Sequence, residues 1–295
     1  MINNGKIAPA YFWRAFLWAG VLCLPAFGAP PSKSNRAPSG FVQLGQPDQG
    51  EGAAILREFR SLGIAGAYYL EFELRVRPRR GKEKSFRGQL WGSRNEWGPI
   101  SRVVLYDAAG APRRLLIQNG SNPQVTTWQD GQVKAQTTTV EGLLAPLLPE
   151  TELTAFDLLM PYLFWDDFVF EGTNKILGRA AHTFLLTPPA GLAKDFATLR
   201  GVRVQLDTQF HAMVQSTLIN AKGDDFKTFT VRDLKKVGDQ WMVKTIDLRN
   251  ELTRDKTRFQ VLRAAVNLDL SPRIFTAAAL PDKIAAPAKT ESLGN

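Results

Sequence analysis

Two histidines and two adjacent-carboxylate pairs are the places in this 295-residue chain where side chains approach a pattern that supports catalysis. His182 and His211 each fall in a predicted strand or at its end, and neither has a Cys or a second His at metal-ligand spacing. A general base must reach the proton it removes, and an isolated strand histidine is more often structural. Asp166-Asp167 and Asp224-Asp225 offer paired acids. Glycoside chemistry, however, needs two carboxylates facing each other across a cleft, and neighbours on a strand point to opposite sides. Asp224-Asp225 also falls in a predicted hairpin turn, where solvated acids are ordinary. Nothing reads as a nucleophile elbow, a phosphate-binding loop or a dinucleotide fingerprint. The expectation is a protein that is not an enzyme, with no catalytic residues, no metal and no cofactor.

The densest charge is Arg75, Arg77, Arg79, Arg80, Lys82, Lys84 and Arg87. Glu71, Glu73 and Glu83 are interspersed and dilute its field, so it reads first as a solvated hairpin end that keeps a sheet edge from pairing. Its functional reading is a docking surface for anionic lipid or an acidic partner. The formal net charge is +9.

The N-terminus has the layout of a secretory signal. Lys6 and Arg14 give a basic start, residues 15–24 are uncharged and apolar, Pro25 breaks the run, and Ala26-Phe27-Gly28 supplies small residues for a peptidase. Cleavage is expected between Gly28 and Ala29, because an apolar run of about ten residues is short of the roughly 20 that span a bilayer. Cys23 is preceded by Gly20-Val21-Leu22 and so lacks the small residue that lipidation requires directly before it. The expected location is therefore the periplasm, which disfavours nucleic acid as a partner.

Periodicity supplies the elements. Residues 29–50, rich in Pro, Ser, Gly and Gln, read as a flexible leader, and residues 281–295 as a disordered tail. Residues 51–62 predict a helix with Ile55, Phe59 and Leu62 on one face. From Tyr69 the period becomes two: Leu70, Phe72, Leu74 and Val76 alternate with Glu71, Glu73 and Arg75. About five strands follow to residue 128, then an apolar helical insert at 154–165, then about seven more strands to residue 269. Pro161 should kink or shorten that insert. Phe156, Leu159, Met160, Leu163 and Phe164 make it apolar around much of its circumference, as a helix covering a hollow must be. Short spacings argue for antiparallel neighbours, and a dozen strands cannot stay flat. The predicted fold is mainly β: a curled antiparallel sheet, or half-open β-barrel, with helices covering its concave face, over residues 51–280.

With these residues placed, the chain resembles the LolA-like outer-membrane lipoprotein-sorting proteins. The resemblance is carried by residues 158–165 and 168–171, by Gly178-Arg179, by the paired strands of VRVQLDTQFHAMVQSTLINAKGDDFKTFTV (202–231), and by the closing hairpin WMVKTIDLRNELTRDKTRFQV (241–261). Its landmarks there are Trp241, Asn250 and Thr257. Locally, Gly88-Gln-Leu-Trp91-Gly-Ser-Arg94 is similar to the segment in which an Arg follows a Gly-x-Leu-Trp strand and holds a helical lid. The resemblance implies that Arg94 is the lid latch, although Asn95-Glu96-Trp97-Gly98 departs from the family pattern.

The resemblance further implies a non-enzymatic periplasmic carrier for the acyl chains of lipoproteins or other lipid. An inner-membrane lipoprotein transporter and transient contact with a membrane surface come with it, and a monomer is expected. Exposing three acyl chains to water would cost on the order of 35 kcal/mol, so no such cargo crosses water unshielded. Candidate lining residues are Leu90, Trp91, Val103, Leu105, Leu158, Leu159, Tyr162, Leu163, Val204 and Leu206. Rival readings are a lipid- or lipoprotein-sensing protein of the same fold, and a structural envelope protein that fills its own core.

Overall fold

The computed structural model describes residues 46–294 apart from Ser121, Ala193, Asp195 and His211. The expected signal peptide, Cys23 and most of the leader lie outside the described residues, as does His211. Helix α1 (Gln49–Ser61) opens on Asp48, whose carboxylate accepts from the backbone amides of Gly50 and Glu51. Gly52 and Leu56 are buried with Ile55 and Phe59 packed beside them, whereas Leu62 lies past the helix end and is exposed. A Cβ on Gly52 would come within 2.6 Å of Phe170, so glycine is what lets the helix approach this closely.

The strands follow the alternation read from the sequence. β1 (Ala67–Arg77), β2 (Lys84–Asn95), β3 (Gly98–Tyr106), β4 (Pro112–Gln118), β5 (Gln124–Gln129) and the short β6 (Gln136–Thr137) form one antiparallel meander. The insert holds α2 (Val140–Leu143), α3 (Ala155–Leu159) and a 3₁₀ turn at Pro161–Phe164. A second meander runs through β7 (Phe168–Ile176), β8 (Arg179–Leu186), β9 (Leu199–Asp207), β10 (Met213–Asn220), β11 (Asp225–Val237), β12 (Gln240–Asn250) and β13 (Lys256–Leu268). β1 then pairs with β13: Tyr69 lies opposite Ala265 and Leu74 opposite Phe259. The result is one antiparallel sheet with edges at β6 and β7, curled but not closed. Gln49 bonds to the backbone N–H and C=O of Phe170, docking α1 on the edge strand β7.

Each face of the sheet has its own apolar cluster. The larger gathers Leu70, Phe72, Leu74, Leu90, Val103, Leu105, Val204, Leu206 and Phe259 with the helical insert on the concave side. The smaller holds Tyr69, Trp91, Val104 and Ala265 on the opposite side, packed by Leu268, Leu270, Ile274, Phe275 and Ile284. Residues 268–284 therefore cover the outer face, Leu293 joins the concave-side cluster, and the disordered tail expected from the sequence is corrected here. Leu280 and Leu293 are buried, and β14 (Glu291–Ser292) pairs with Arg263 and Ala264 of β13. Beyond Gln260 the register pairs no further residue of β13 with β12, and β14 takes up part of that stretch. Composition hid this order: alanines and prolines add little apolar pattern, while the few large side chains provide the anchorage.

The charged β1–β2 hairpin is paired within itself and to a neighbouring loop. Arg77 meets Glu83 at 3.1 Å, Arg87 meets Glu71 at 3.4 Å, and Lys84 meets Glu150 at 2.6 Å. Further along the outer face, buried Asp247 takes Arg258, Arg232 and Lys256 at 2.7–2.8 Å. Burial pushes this carboxyl up, but hydrogen bonds and charge from Arg258 and Lys256 outweigh it and hold the pKa down at about 2. Because the folded pKa lies below the unfolded one, the stabilisation is complete above about pH 4 and is lost as pH falls through about 2. Asp247→Asn should thus cost about 2 kcal/mol at neutral pH and flatten the acid-unfolding curve between pH 4 and 2. Urea unfolding across that range checks it; an unchanged pH slope would refute the assignment.

Candidate functional site

The helical insert is built to end where it does. Thr154 and Asp157 form a reciprocal capping box at the start of α3. Pro161 cannot donate a helical hydrogen bond and disfavours helical geometry in the residue before it. Met160 accordingly turns into the left-handed region (φ 45°, ψ 52°), breaking the insert into α3 and the 3₁₀ turn.

Polar ties from several elements hold this apolar insert to the sheet. Asp157 Oδ2 accepts from Thr154 N–H at 2.8 Å, Thr154 O–H at 2.7 Å and Lys227 Nζ at 2.5 Å. The side chains of Asp157 and Lys227 are 2% and 7% exposed, so this is a buried ion pair joining α3 to β11. The Tyr162 hydroxyl lies 3.1 Å from that of Ser216 on β10, and burial pushes the phenol far above its ordinary pKa. Arg60, at the end of α1, donates to the carbonyls of Leu163 and Trp165 at 2.5 Å and faces Asp166 at 3.7 Å. Asn119 donates to Leu159 O, and Arg113 to Leu147 O at 2.7 Å. The backbone N–H of Glu152 reaches Thr257 at 2.8 Å, and burial raises the Glu152 pKa.

Cavities lie on two sides of the insert. The first, about 230 Å³, lies between it and the sheet. Ile64, Tyr68, Leu70 and Leu90 wall one end, Leu153, Leu158 and Met160 the roof, and Phe229, Met242, Ile246, Leu248 and Phe259 the floor. Asp157 is its one charged lining group. Aromatic rings lie across the glycines of β2, where added Cβ atoms would come within 2.3 Å of Phe72 at Gly88 and 2.1 Å of Tyr68 at Gly92. The second cavity is an open groove of about 880 Å³, lined by Trp97, Leu143, Leu159, Phe164, Trp165 and Phe196 among others, with Arg60, Arg94 and Asp166 on its walls. Behind it, Phe156, Tyr162, Trp165 and Phe196 pack ring to ring at 5.6–6.4 Å.

A curled sheet over an apolar hollow, covered by a broken helix, has counterparts among solved structures. A domain from Vibrio parahaemolyticus named for outer membrane lipoprotein sorting matches with a TM-score of 0.68 at 15% identity, covering 79% of this chain and 99% of its own. A LolA superfamily protein from Nitrosomonas europaea matches with a TM-score of 0.59 at 14% identity, covering 77% and 98%. This chain has the LolA-type fold. A family model described only as that of an uncharacterized protein matches residues 151–282, and no curated protein matches the chain.

Within this LolA-type fold the expected lining residues divide. Leu90 and Leu158 line the hollow, and Leu159 lines the groove. Val103, Leu105, Tyr162, Leu163, Val204 and Leu206 belong to the surrounding concave-side core. Trp91 is corrected: it lies on the outer face, its ring 5.3 Å from Tyr69, because adjacent strand residues point to opposite sides. Arg94 is corrected too. It is exposed on the groove wall and makes no hydrogen bond or ion pair among the described residues, whereas the guanidiniums that tie the insert belong to Arg60 and Arg113. The floor residues Met242, Ile246, Leu248 and Phe259 were missed as lining candidates, although the apolar alternation of their strands marks them.

The groups first considered for catalysis are dispersed. His182 Nδ1 lies 2.9 Å from the Thr173 hydroxyl on the β7–β8 pair, its ring beside Phe170. Asp166 faces Arg60, and Asp224 lies in the β10–β11 turn against Asn220. Among the described residues no group of three His, Cys, Asp or Glu is placed to hold a metal, and no helix is long and apolar enough to cross a membrane.

Proposed function

We propose that the protein is a periplasmic, non-catalytic carrier that shields the acyl chains of lipoproteins or other lipid, receiving cargo from an inner-membrane transporter. The supporting observation is the apolar hollow under an insert that is hung from the sheet and α1 by a few polar ties. At about 230 Å³ the hollow is smaller than the roughly 300–1,000 Å³ of ordinary ligand sites. Cargo therefore enters by displacing the insert, whose far side already borders the open groove. Acyl chains moving from a bilayer to such a surface stay out of water, so transfer is close to neutral in free energy. The solved structures of similar fold, one of them named for lipoprotein sorting, fit this reading.

Mass spectrometry of lipid extracted from purified protein, with titration of a fluorescent fatty acid, tests it. Leu158→Trp and Met242→Trp, which fill the hollow, should each weaken the probe about tenfold. Absence of extracted lipid together with absence of probe binding would leave the hollow as mere core and end the carrier reading.

A further inference from the structure

On the outer face of β10–β13 and the adjoining β1, cations stand opposite one another in the sheet register. In the sheet register Arg249 lies opposite Lys256, and Lys256 opposite Arg77; one row along, Arg258 lies opposite Arg75. Like charges directly opposite one another destabilise neighbouring strands. Four carboxylates offset part of this: Glu73 serves Arg75, Glu83 serves Arg77, Asp247 serves Arg232, Lys256 and Arg258, and Glu251 serves Arg249 and Arg254. Asp247 and Glu251 between them thus meet five cations. An open cup of about 460 Å³ lies over them, lined by Arg232, Arg249, Arg254 and Lys256 with one carboxylate, Glu251, among them, and with Thr228 and Thr230 adding hydroxyls. Arg254 holds φ at 71°, a left-handed conformation that favours glycine, so the turn keeps a guanidinium where a residue without a side chain would fit with less strain.

We propose that this cup binds a phosphate group. Guanidinium forks and hydroxyls together match a tetrahedral oxyanion, and the anion relieves the cross-strand repulsion that the fold otherwise carries. The phosphate belongs to a lipid headgroup or to a soluble ester; the recognising chemistry is the same. The site is on the opposite side of the sheet from the apolar hollow and does not depend on the carrier reading.

Calorimetric titration of the full chain with inorganic phosphate, alongside co-sedimentation with vesicles of phosphatidylglycerol in phosphatidylcholine, tests the proposal. R249Q/R254Q leaves Asp247 with its three partners, so the sheet keeps its buried acid neutralised. R79Q/R80Q removes the same formal charge from the exposed hairpin and serves as control. Binding should fall at least about tenfold in R249Q/R254Q and stay unchanged in R79Q/R80Q. Arg254→Gly should weaken binding while leaving thermal stability equal or higher, which a purely structural arginine would not do. Vesicle binding lost in R249Q/R254Q assigns a headgroup, and phosphate binding without vesicle binding assigns a soluble ester. Failure of the wild-type chain to bind either probe, or an equal loss in R79Q/R80Q, overturns the proposal.

Discussion

Lys227→Met should lower the unfolding free energy by about 3–5 kcal/mol, the largest loss expected from a single side chain that ties the insert to the sheet. The methionine removes the counter-charge from Asp157, whose carboxylate remains buried with Thr154 as its one remaining donor among the described residues. An uncompensated buried charge is expensive in a low dielectric, whereas replacing both members with apolar residues is often neutral. The double variant Asp157→Leu with Lys227→Met should therefore recover part of the loss, though not the capping box that Asp157 also supplies to Thr154. Denaturant unfolding of the wild type and three variants gives the coupling energy. Additive effects within about 0.5 kcal/mol would show that the pair does not hold α3 to β11.

Arg102→Ala should release the C-terminal segment from the outer face at a cost of several kcal/mol. Arg102 is fully buried in β3 and donates to the carbonyls of Ile274, Ala279, Leu280 and Asp282 at 2.6–3.1 Å. Burial, with the nearby charge of Arg114, lowers its pKa to about 10, so it stays charged at neutral pH. Its charge is met mainly by carbonyl dipoles, and those carbonyls lose their donors together when the guanidinium is removed. Lysine offers no planar fork, so Arg102→Lys should not restore the contact. Amide exchange and limited proteolysis read the result: protection falls over residues 270–294 while β1 to β13 keep theirs. A segment as protected in Arg102→Ala as in the wild type would mean that Tyr69, Trp91 and Val104 hold it without the arginine.

The strands were legible because each carries its pattern locally. Leu70, Phe72, Leu74 and Val76 alternate with charged residues, and the hairpin turns between neighbours carry Asp-Gly and related pairs, so the observed elements differ from expectation mainly at their ends. Pro161 announced the break in the insert for an equally local reason, the geometry that it denies to Met160. The resemblance carried by residues 202–261 pointed to the LolA-type fold through the same strand succession.

By itself, then, the sequence determined a mainly antiparallel chain with a broken apolar insert between two runs of strands. The tertiary structure alone decided which strands meet and which face is hollow. Pairing of β1 with β13 joins Tyr69 to Ala265 across nearly the whole domain, and no local period encodes a partner that distant. Leu90-Trp91 and Val103-Val104 are apolar at adjacent positions because both faces there are covered, so alternation could not say which side Trp91 takes. Arg60 is 103 residues from Leu163, and Lys227 is 70 residues from Asp157. Such ties exist only once the sheet has curled, since its curvature brings the end of α1 and the floor of β11 to the same short insert.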